Sequence, residues 1–447
     1  MEELQEQQFK AVQNAGENAK NQPPTPKIQK VIFFLRDHWD FEKYFEPRLV
    51  SLGPIHHGKP KYQLGEKYKH VLTNKFMEGN SNTKEEVINK IKEKIKELRE
   101  CFEEEVTKGY DDEALACLLF EDGCATLQFI YCATNDNFKE LGIINDGVAF
   151  GYQDLFLLEN QLPYRLLKWL MSLSDNKNEL EKSIATFIEV HNMVPCKCKQ
   201  QLKQQEAKGE RGNGEEKLED QRIILMEQEP IHLLDRLRSL MVNHDQQPVA
   251  KKDRRKVNDQ ESYHNVRELK AAGIHFRRSS NSCLSNIYFT RQYVLLGYLY
   301  LPPIVVDDST RPKFLNLIAY EMCPDFENDL EVTSYISFLN SLIDDANDVK
   351  ELRKAGIIHN ILGSDEEVAQ VFNEIGTELV PNLKINEDVK RDIQEHYETP
   401  MSWMFRFYHD HLGGTWSIAG FFGVILGLIL SGVQAWFTVN PDSQRHN

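Results

Sequence analysis

Between Thr83 and Val106 the apolar positions Val87, Ile91, Ile95, Leu98, Phe102 and Val106 recur at steps of four, four, three, four and four. That spacing lines them along one face of an α-helix, and Thr83 with Glu86 supplies a capping box at its start. Similar periods predict helices over 113–133, 152–172, 180–193, 223–243, 330–346, 365–380 and 386–410. β-signals are confined to 274–307, where IHFRR, SNIYF and GYLYL are separated by turn-rich stretches, and they predict a small antiparallel sheet. ELKAAGI at 268–274 and ELRKAGI at 351–357 echo each other. Each reads as a last helical turn closed by a left-handed glycine, Gly273 or Gly356, with an isoleucine folded back.

One apolar run breaks these periods. From Trp416 to Phe437 the chain reads WSIAGFFGVILGLILSGVQAWF, 22 residues without a charge. As a helix it would be about 33 Å long, the thickness of a bilayer core. A buried globular helix of that size normally keeps a polar stripe, whereas the polar content here is only Ser417, Ser431 and Gln434. Trp416 and Trp436 stand at the two ends, where an aromatic belt belongs. Small residues recur at every fourth position, Ala419, Gly423, Gly427, Ser431 and Ala435, a line that lets a second helix approach closely, so the lipid bilayer and a further copy of the chain are the expected neighbours. Ten residues follow Phe437, which predicts post-translational insertion as a tail anchor with the body in the cytosol.

The expected fold class is therefore mainly α. A large helical domain over 29–412, with a small antiparallel β element, follows a disordered tail at 1–28 and precedes a transmembrane helix at 413–439 and a short tail at 440–447. Residues 199–222 and 244–262 are charged, Gln-rich and poor in apolar positions, and read as solvated insertions within that domain. Composition agrees with a globular body, at 41% hydrophobic and 27% charged. The net charge of −16 argues against nucleic acid as a partner, since a polyanion would meet a like-charged surface. Eight cysteines, mostly inside apolar segments, suggest buried thiols rather than a disulfide frame. No secretory signal and no N-x-S/T sequon is visible.

Candidate chemistry is sparse. GPIHHGKP at 53–60 satisfies the phosphate-loop pattern through Gly53, Gly58 and Lys59, but Pro54 removes one backbone N–H, and Pro60 stands where the magnesium-binding hydroxyl belongs. Pro60 also pushes Lys59 out of the α region, so the helix cannot start where phosphate binding needs it. His56 and His57 are adjacent and point apart in most backbones, a poor metal pair. His191, Cys196 and Cys198 could supply three zinc ligands, yet no fourth lies at zinc-finger spacing. KKDRRK at 251–256 reads as a solvated loop before it reads as a nuclear-import patch, and His409 and His411 sit just ahead of the apolar run.

Taken in order, EPRLVSLGPIHHGK (46–59), LLFEDGCATLQF (118–129), DLFLLENQLPYRLL (154–167), ELKAAGIHF (268–276), FLNLIAYE (314–321) and DVKELRKAGII (348–358) resemble the plant domain-of-unknown-function family 247. The departures are Ile55, where the family usually has an aromatic residue, and Ala125, where a bulkier one is usual. The resemblance implies a plant-specific helical protein without established catalytic residues, and it makes GPIHHGK a family landmark, a turn in which Gly53 and Gly58 take positive φ. Some members are tied to self-incompatibility recognition in grasses, a role that likeness of architecture does not transfer. The first expectation is thus a membrane-anchored, non-catalytic recognition or interaction module with no catalytic, cofactor or metal-binding residues. The alternative is a tethered enzyme with a site near GPIHHGK and LLENQLP. A deep polar pocket joining His56, His57, Asp122, Glu159 and Asn160 would mark the enzyme. Pairing of those groups with backbone would mark the module, and the simplest expectation for Asp122 and Glu159 is that they cap helix ends or bind backbone in the core.

Overall fold

The computed structural model describes residues 27–195, 229–242, 264–412 and 426–436, apart from positions 39, 79, 281–282, 293–295, 325–329 and 378. The tail at 1–26, both insertions, Cys196, Cys198, KKDRRK, Ala419 and Gly423 lie outside these residues.

The N-terminal half is built on α1 (Gln63–Glu78), α2 (Lys84–Glu93), α3 (Asp112–Asn135), α4 (Asn145–Asp154), α5 (Tyr164–Leu173), α6 (Lys177–His191) and α7 (Leu233–Met241). Helix α3 is the axis: α1, α2, α5 and α6 all pack on it. Among the described residues it alone is long and apolar enough to cross a membrane, yet 78% of its apolar stretch is buried inside the protein. A helix apolar on every side is a core helix when neighbours cover it. The C-terminal half holds α8 (Val266–Ala271), α9 (Thr310–Glu321), α10 (Glu331–Leu342), α11 (Ala346–Lys354), α12 (Asp365–Ile375), α13 (Glu387–Tyr397) and α14 (Pro400–Leu412). One continuous apolar core, from Ile28 to Ile393, runs through both halves.

The mainly helical reading holds, with four corrections in detail. The apolar stripe of 83–106 is buried at all six positions, and the Thr83–Glu86 capping box is present, but the helix is interrupted. Lys94 leaves helical geometry, and Cys101 and Glu103 exchange backbone hydrogen bonds with Ile28, forming a parallel bridge at Phe102. Periodicity therefore reported the buried face and not the continuity. The expected helix over 152–172 is likewise broken between α4 and α5, where side chains of 159–161 bind backbone and Pro163 follows. The pattern over 386–410 splits at Pro400, which cannot extend α13 and instead opens α14.

The fourth correction concerns the sheet. β1 (Ile274–Arg278), β2 (Tyr288–Gln292) and β3 (Leu296–Leu301) run in the order β1-β3-β2, with β2–β3 antiparallel as expected but β1–β3 parallel. The link 279–287 buries Cys283, Leu284 and Ile287 and pins Leu284 N to Met241 O, so it crosses to the far edge instead of turning back as a hairpin. A second pair, β4 (Ile304–Val306) with β5 (Ile358–Asn360), is also parallel. The two echoes have one purpose here. Gly273 (φ +83) and Gly356 (φ +71) each end a helix in the left-handed region, the buried Ile274 and Ile357 follow, and the chain runs on into β1 and β5. Helices α8 and α11 pack together through Arg267–Asp345 at 2.8 Å and Lys270–Glu351.

Within the predicted span, an 11-residue apolar helix, Leu426–Trp436, is described and its side chains are exposed. Gly427, Ser431 and Ala435 fall on it at steps of four, hence on one face, and are all exposed.

Candidate functional site

The stretch GPIHHGKP is buried at its start and exposed at its end. Gly53 and Gly58 have φ of +67° and +79°, as the turn reading requires. Lys59 is extended (ψ 129°), Pro60 opens a single turn of 3₁₀-helix, and α1 begins only at Gln63. No helix N-terminus therefore faces the loop at the lysine. His56 is buried and His57 exposed beside the Tyr110 ring, so the two do point apart. Lys59 Nζ lies between Glu46 Oε1 and His56 Nδ1, 2.9 Å from each. An ammonium can only donate, so Nδ1 accepts and the ring proton sits on Nε2, which lies 2.9 Å from Glu159 Oε2.

Behind the turn, the four polar residues of the DLFLLENQLP segment, Asp154, Glu159, Asn160 and Gln161, all bind backbone. Asp154 accepts from the N–H groups of Arg48, Leu49 and Val50 at 2.8–2.9 Å. Glu159 Oε1 accepts from Val31 N at 2.8 Å and from Arg36. Asn160 accepts from Leu52 N (2.7 Å) and donates to the carbonyls of Val50 and Asp154 (2.9 Å each). Gln161 donates to the carbonyls of Leu155 and Leu157 and accepts from Leu234 N. From α9, Asn316 accepts from Leu158 N and donates to Tyr44 O, both at 2.8 Å. Residues 155–163 are buried and 46–53 partly so, and beyond short turns both stretches are irregular, so amides such as those of Val50, Leu52, Gly53 and Leu158 lack helix or sheet partners, and leaving a buried one unpaired would cost roughly 1–3 kcal/mol. These side chains supply the missing partners.

Asp122 closes the arrangement from the middle of α3. Its Oδ2 accepts from Gly53 N (2.7 Å), and its Oδ1 lies 2.6 Å from Lys69 Nζ of α1. Lys69 also donates to Ser51 O (3.0 Å) and pairs with Glu66 (2.8 Å), which uses all three of its protons. Burial works against that ammonium, but Asp122 and Glu66 outweigh it and hold it above its ordinary range. A Cβ at Gly53 would come within 3.1 Å of Gln161 O, whereas one at Gly58 would meet nothing. Both positions carry the left-handed cost of about 1–2 kcal/mol for a residue with a Cβ. Gly53→Ala should therefore destabilise the protein more than Gly58→Ala, and equal urea midpoints for the two variants would contradict the packing described here.

The structure thus brings Glu159 to His56, and Asp122 and Asn160 to the backbone of 50–53. A neighbouring cavity of about 30 Å³ is lined mainly by apolar groups such as Leu72, Phe129 and Ile143, with Lys69 and Asp154 at its wall and none of the five candidate groups in its lining. A larger cleft of about 470 Å³ lies elsewhere, between Arg48, Gln153, Arg311 and Gln370. His191 is packed against Phe187, with ring centroids 4.2 Å apart, and its Nδ1 bonds Phe187 O. Among the described residues no His, Cys, Asp and Glu group of three is placed to hold a metal. Sequence reasoning missed Lys69, Asp154, Gln161 and Asn316. For Asp154 and Gln161 a signal exists, since they are polar letters within an apolar segment that does not keep helical period. Lys69 offers none, because α1 is charged on most of its surface.

Residues 28–430 match the family DUF247, described as a plant protein of unknown function. The UPF0481 protein At3g47200 of Arabidopsis thaliana is 24% identical over 422 residues, covering 88% of this chain and 82% of the relative. The putative UPF0481 protein At3g02645 of the same plant is 22% identical, covering 88% and 87%. No solved structure matches the chain significantly.

Proposed function

The chain belongs to that plant family of unknown function, and within it we propose that this protein is a membrane-anchored, non-catalytic recognition or interaction module. The observation that supports this reading is the use made of the polar groups in the landmark segments. Asp122, Glu159, Asn160 and His56, the residues best suited by type to acid–base work, are committed to backbone amides and to Lys69, Arg36 and Lys59. A general base needs a lone pair within reach of a substrate, and none of these four lines the cavity beside them. Their role is to fix two irregular segments against α3. What the molecule offers to the outside is then its surface.

Anchoring is proposed from Trp416–Phe437. The apolar helix Leu426–Trp436 supports it, because Leu426, Leu428, Ile429, Leu430, Val433 and Trp436 are all about half or more exposed. A soluble domain gains by burying such a row, each large side chain being worth roughly 1.5–3 kcal/mol, and lipid offers the same gain. The face carrying Gly427, Ser431 and Ala435, continued in sequence by Ala419 and Gly423, is proposed as the packing surface for another copy. Deleting 416–447 should move the protein wholly from carbonate-washed membranes to the soluble fraction, and a deletion variant that stays in washed membranes would refute the anchor. For the module itself, crosslinking of the full chain in plant membranes should trap a recurrent protein partner through the domain 29–412. Recovery of uncrosslinked monomer alone would refute it.

A further inference from the structure

Helix α14 presents two opposite faces. Ser402 is buried and its Oγ donates to Ala272 O (2.9 Å) or His396 O (2.7 Å), tying the helix to the body at the end of α8 and to α13. Arg406 leans the same way, its guanidinium 3.9 Å from the centre of the Tyr397 ring. Trp403, Met404 and Phe407 are instead 61, 50 and 44% exposed, and the rings of Trp403 and Phe407 stack 5.5 Å apart. At about 100° per residue these three side chains span roughly 100° of arc, centred about 150° from Ser402. This is an apolar stripe turned away from the protein.

Its position in the chain indicates what covers it. Helix α14 is described as far as Leu412, and the apolar run begins at Trp416. Four residues reach at most about 14 Å. If the run spans a bilayer, the C-terminal end of α14 is held within that distance of the headgroups, and the stripe lies on a helix that cannot leave the interface. We propose that α14 is an interfacial helix, with Trp403, Met404 and Phe407 set into the lipid headgroup–acyl boundary while Ser402 and Arg406 keep it docked to the domain. Tryptophan suits this boundary because an apolar ring and a hydrogen-bonding N–H are satisfied together there. The domain would then rest on the membrane in one fixed orientation instead of swinging on its tether. This inference rests on the anchor proposed above.

The test uses the full chain carrying Trp416→Phe and Trp436→Phe, reconstituted in phosphatidylcholine vesicles with bromines near the headgroup end of the acyl chains. The chain should float with the vesicles, its tryptophan emission should be quenched, and the further change Trp403→Phe should abolish that quenching. A chain that floats but whose quenching is absent, or unchanged by Trp403→Phe, overturns the interfacial helix and leaves the anchor standing. Floating chains whose Trp403 is unquenched, and which crosslink to one another through position 403, would show that a second copy covers the stripe, again overturning the proposal. A chain that does not float refutes the anchor and the interfacial helix together.

Discussion

Replacing Lys69 with methionine is expected to destabilise the fold by about 3–5 kcal/mol, because it removes one partner of a buried ion pair and leaves the other charge without compensation. Lys69 is 1% exposed and Asp122 is fully buried. With the ammonium gone, Asp122 retains only the Gly53 amide, Ser51 O loses its donor, and the turn at 51–53 loses its tie to α1. Methionine fills nearly the same volume, so the loss is electrostatic and not a cavity effect. The companion variant Lys69→Met with Asp122→Asn separates these terms. The neutral amide can still accept from Gly53 N, and no buried charge remains, so the pair should recover at least about half of the lost stability. Equilibrium urea unfolding, followed by circular dichroism, measures both. A single variant within about 0.5 kcal/mol of the parent, the range of ordinary surface changes, would show that Lys69–Asp122 does not hold the turn.

The second large effect is a loss of stability on acidification through His232. This residue is wholly buried at the start of α7, its Nδ1 accepts from Asp235 N at 3.0 Å as the helix N-cap, and its ring meets Tyr320 edge to face. Nδ1 is the acceptor, so the proton of the neutral ring is on Nε2, and a second proton could bind only where the cap hydrogen bond now is. Burial, partly offset by Asp235, pushes the imidazole down to about 4 from an ordinary 6.5. The sign follows directly. The unfolded chain takes up the proton near pH 6.5 and the folded chain only near 4, so acidification through this window favours unfolding. At about 1.4 kcal/mol per unit the full loss is roughly 3 kcal/mol, with about 2.5 reached by pH 4.5. His191, also lowered to about 4 by burial and by Lys313, adds in the same direction. His232→Gln keeps an acceptor for Asp235 N and cannot titrate, so it should lose less stability than the parent between pH 7 and pH 4.5. Parallel losses in the two proteins would show that His232 does not carry the effect.

Periodicity determined much of this protein. Which residues of 83–106 face the core, the capping box at Thr83, the left-handed turns at Gly53, Gly58, Gly273 and Gly356, and the refusal of the chain to start a helix at Lys59 all follow from local sterics and short-range hydrogen bonding. Each depends on a few neighbouring letters. The apolar run at 416–437 is equally plain in the sequence, because length and the absence of charge are local properties. What the tertiary structure alone decided are the long-range pairings. The parallel course of β1 beside β3, the break after Lys94 where Ile28 joins Phe102, and the departure of 155–163 from helical geometry each depend on a segment distant in sequence. The same holds for the candidate site. Asp122 and Glu159 are visible as charges among apolar letters, but whether such a charge opens into a pocket or is consumed by backbone depends on what lies opposite. Opposite Asp122 the fold places Lys69, 53 residues away, and opposite Glu159 it places Val31 and Arg36, more than 120 residues away. A single sequence carries no record of that juxtaposition, since the energy that selects it is the desolvation of buried amides and charges, a property of the assembled core and not of any one segment.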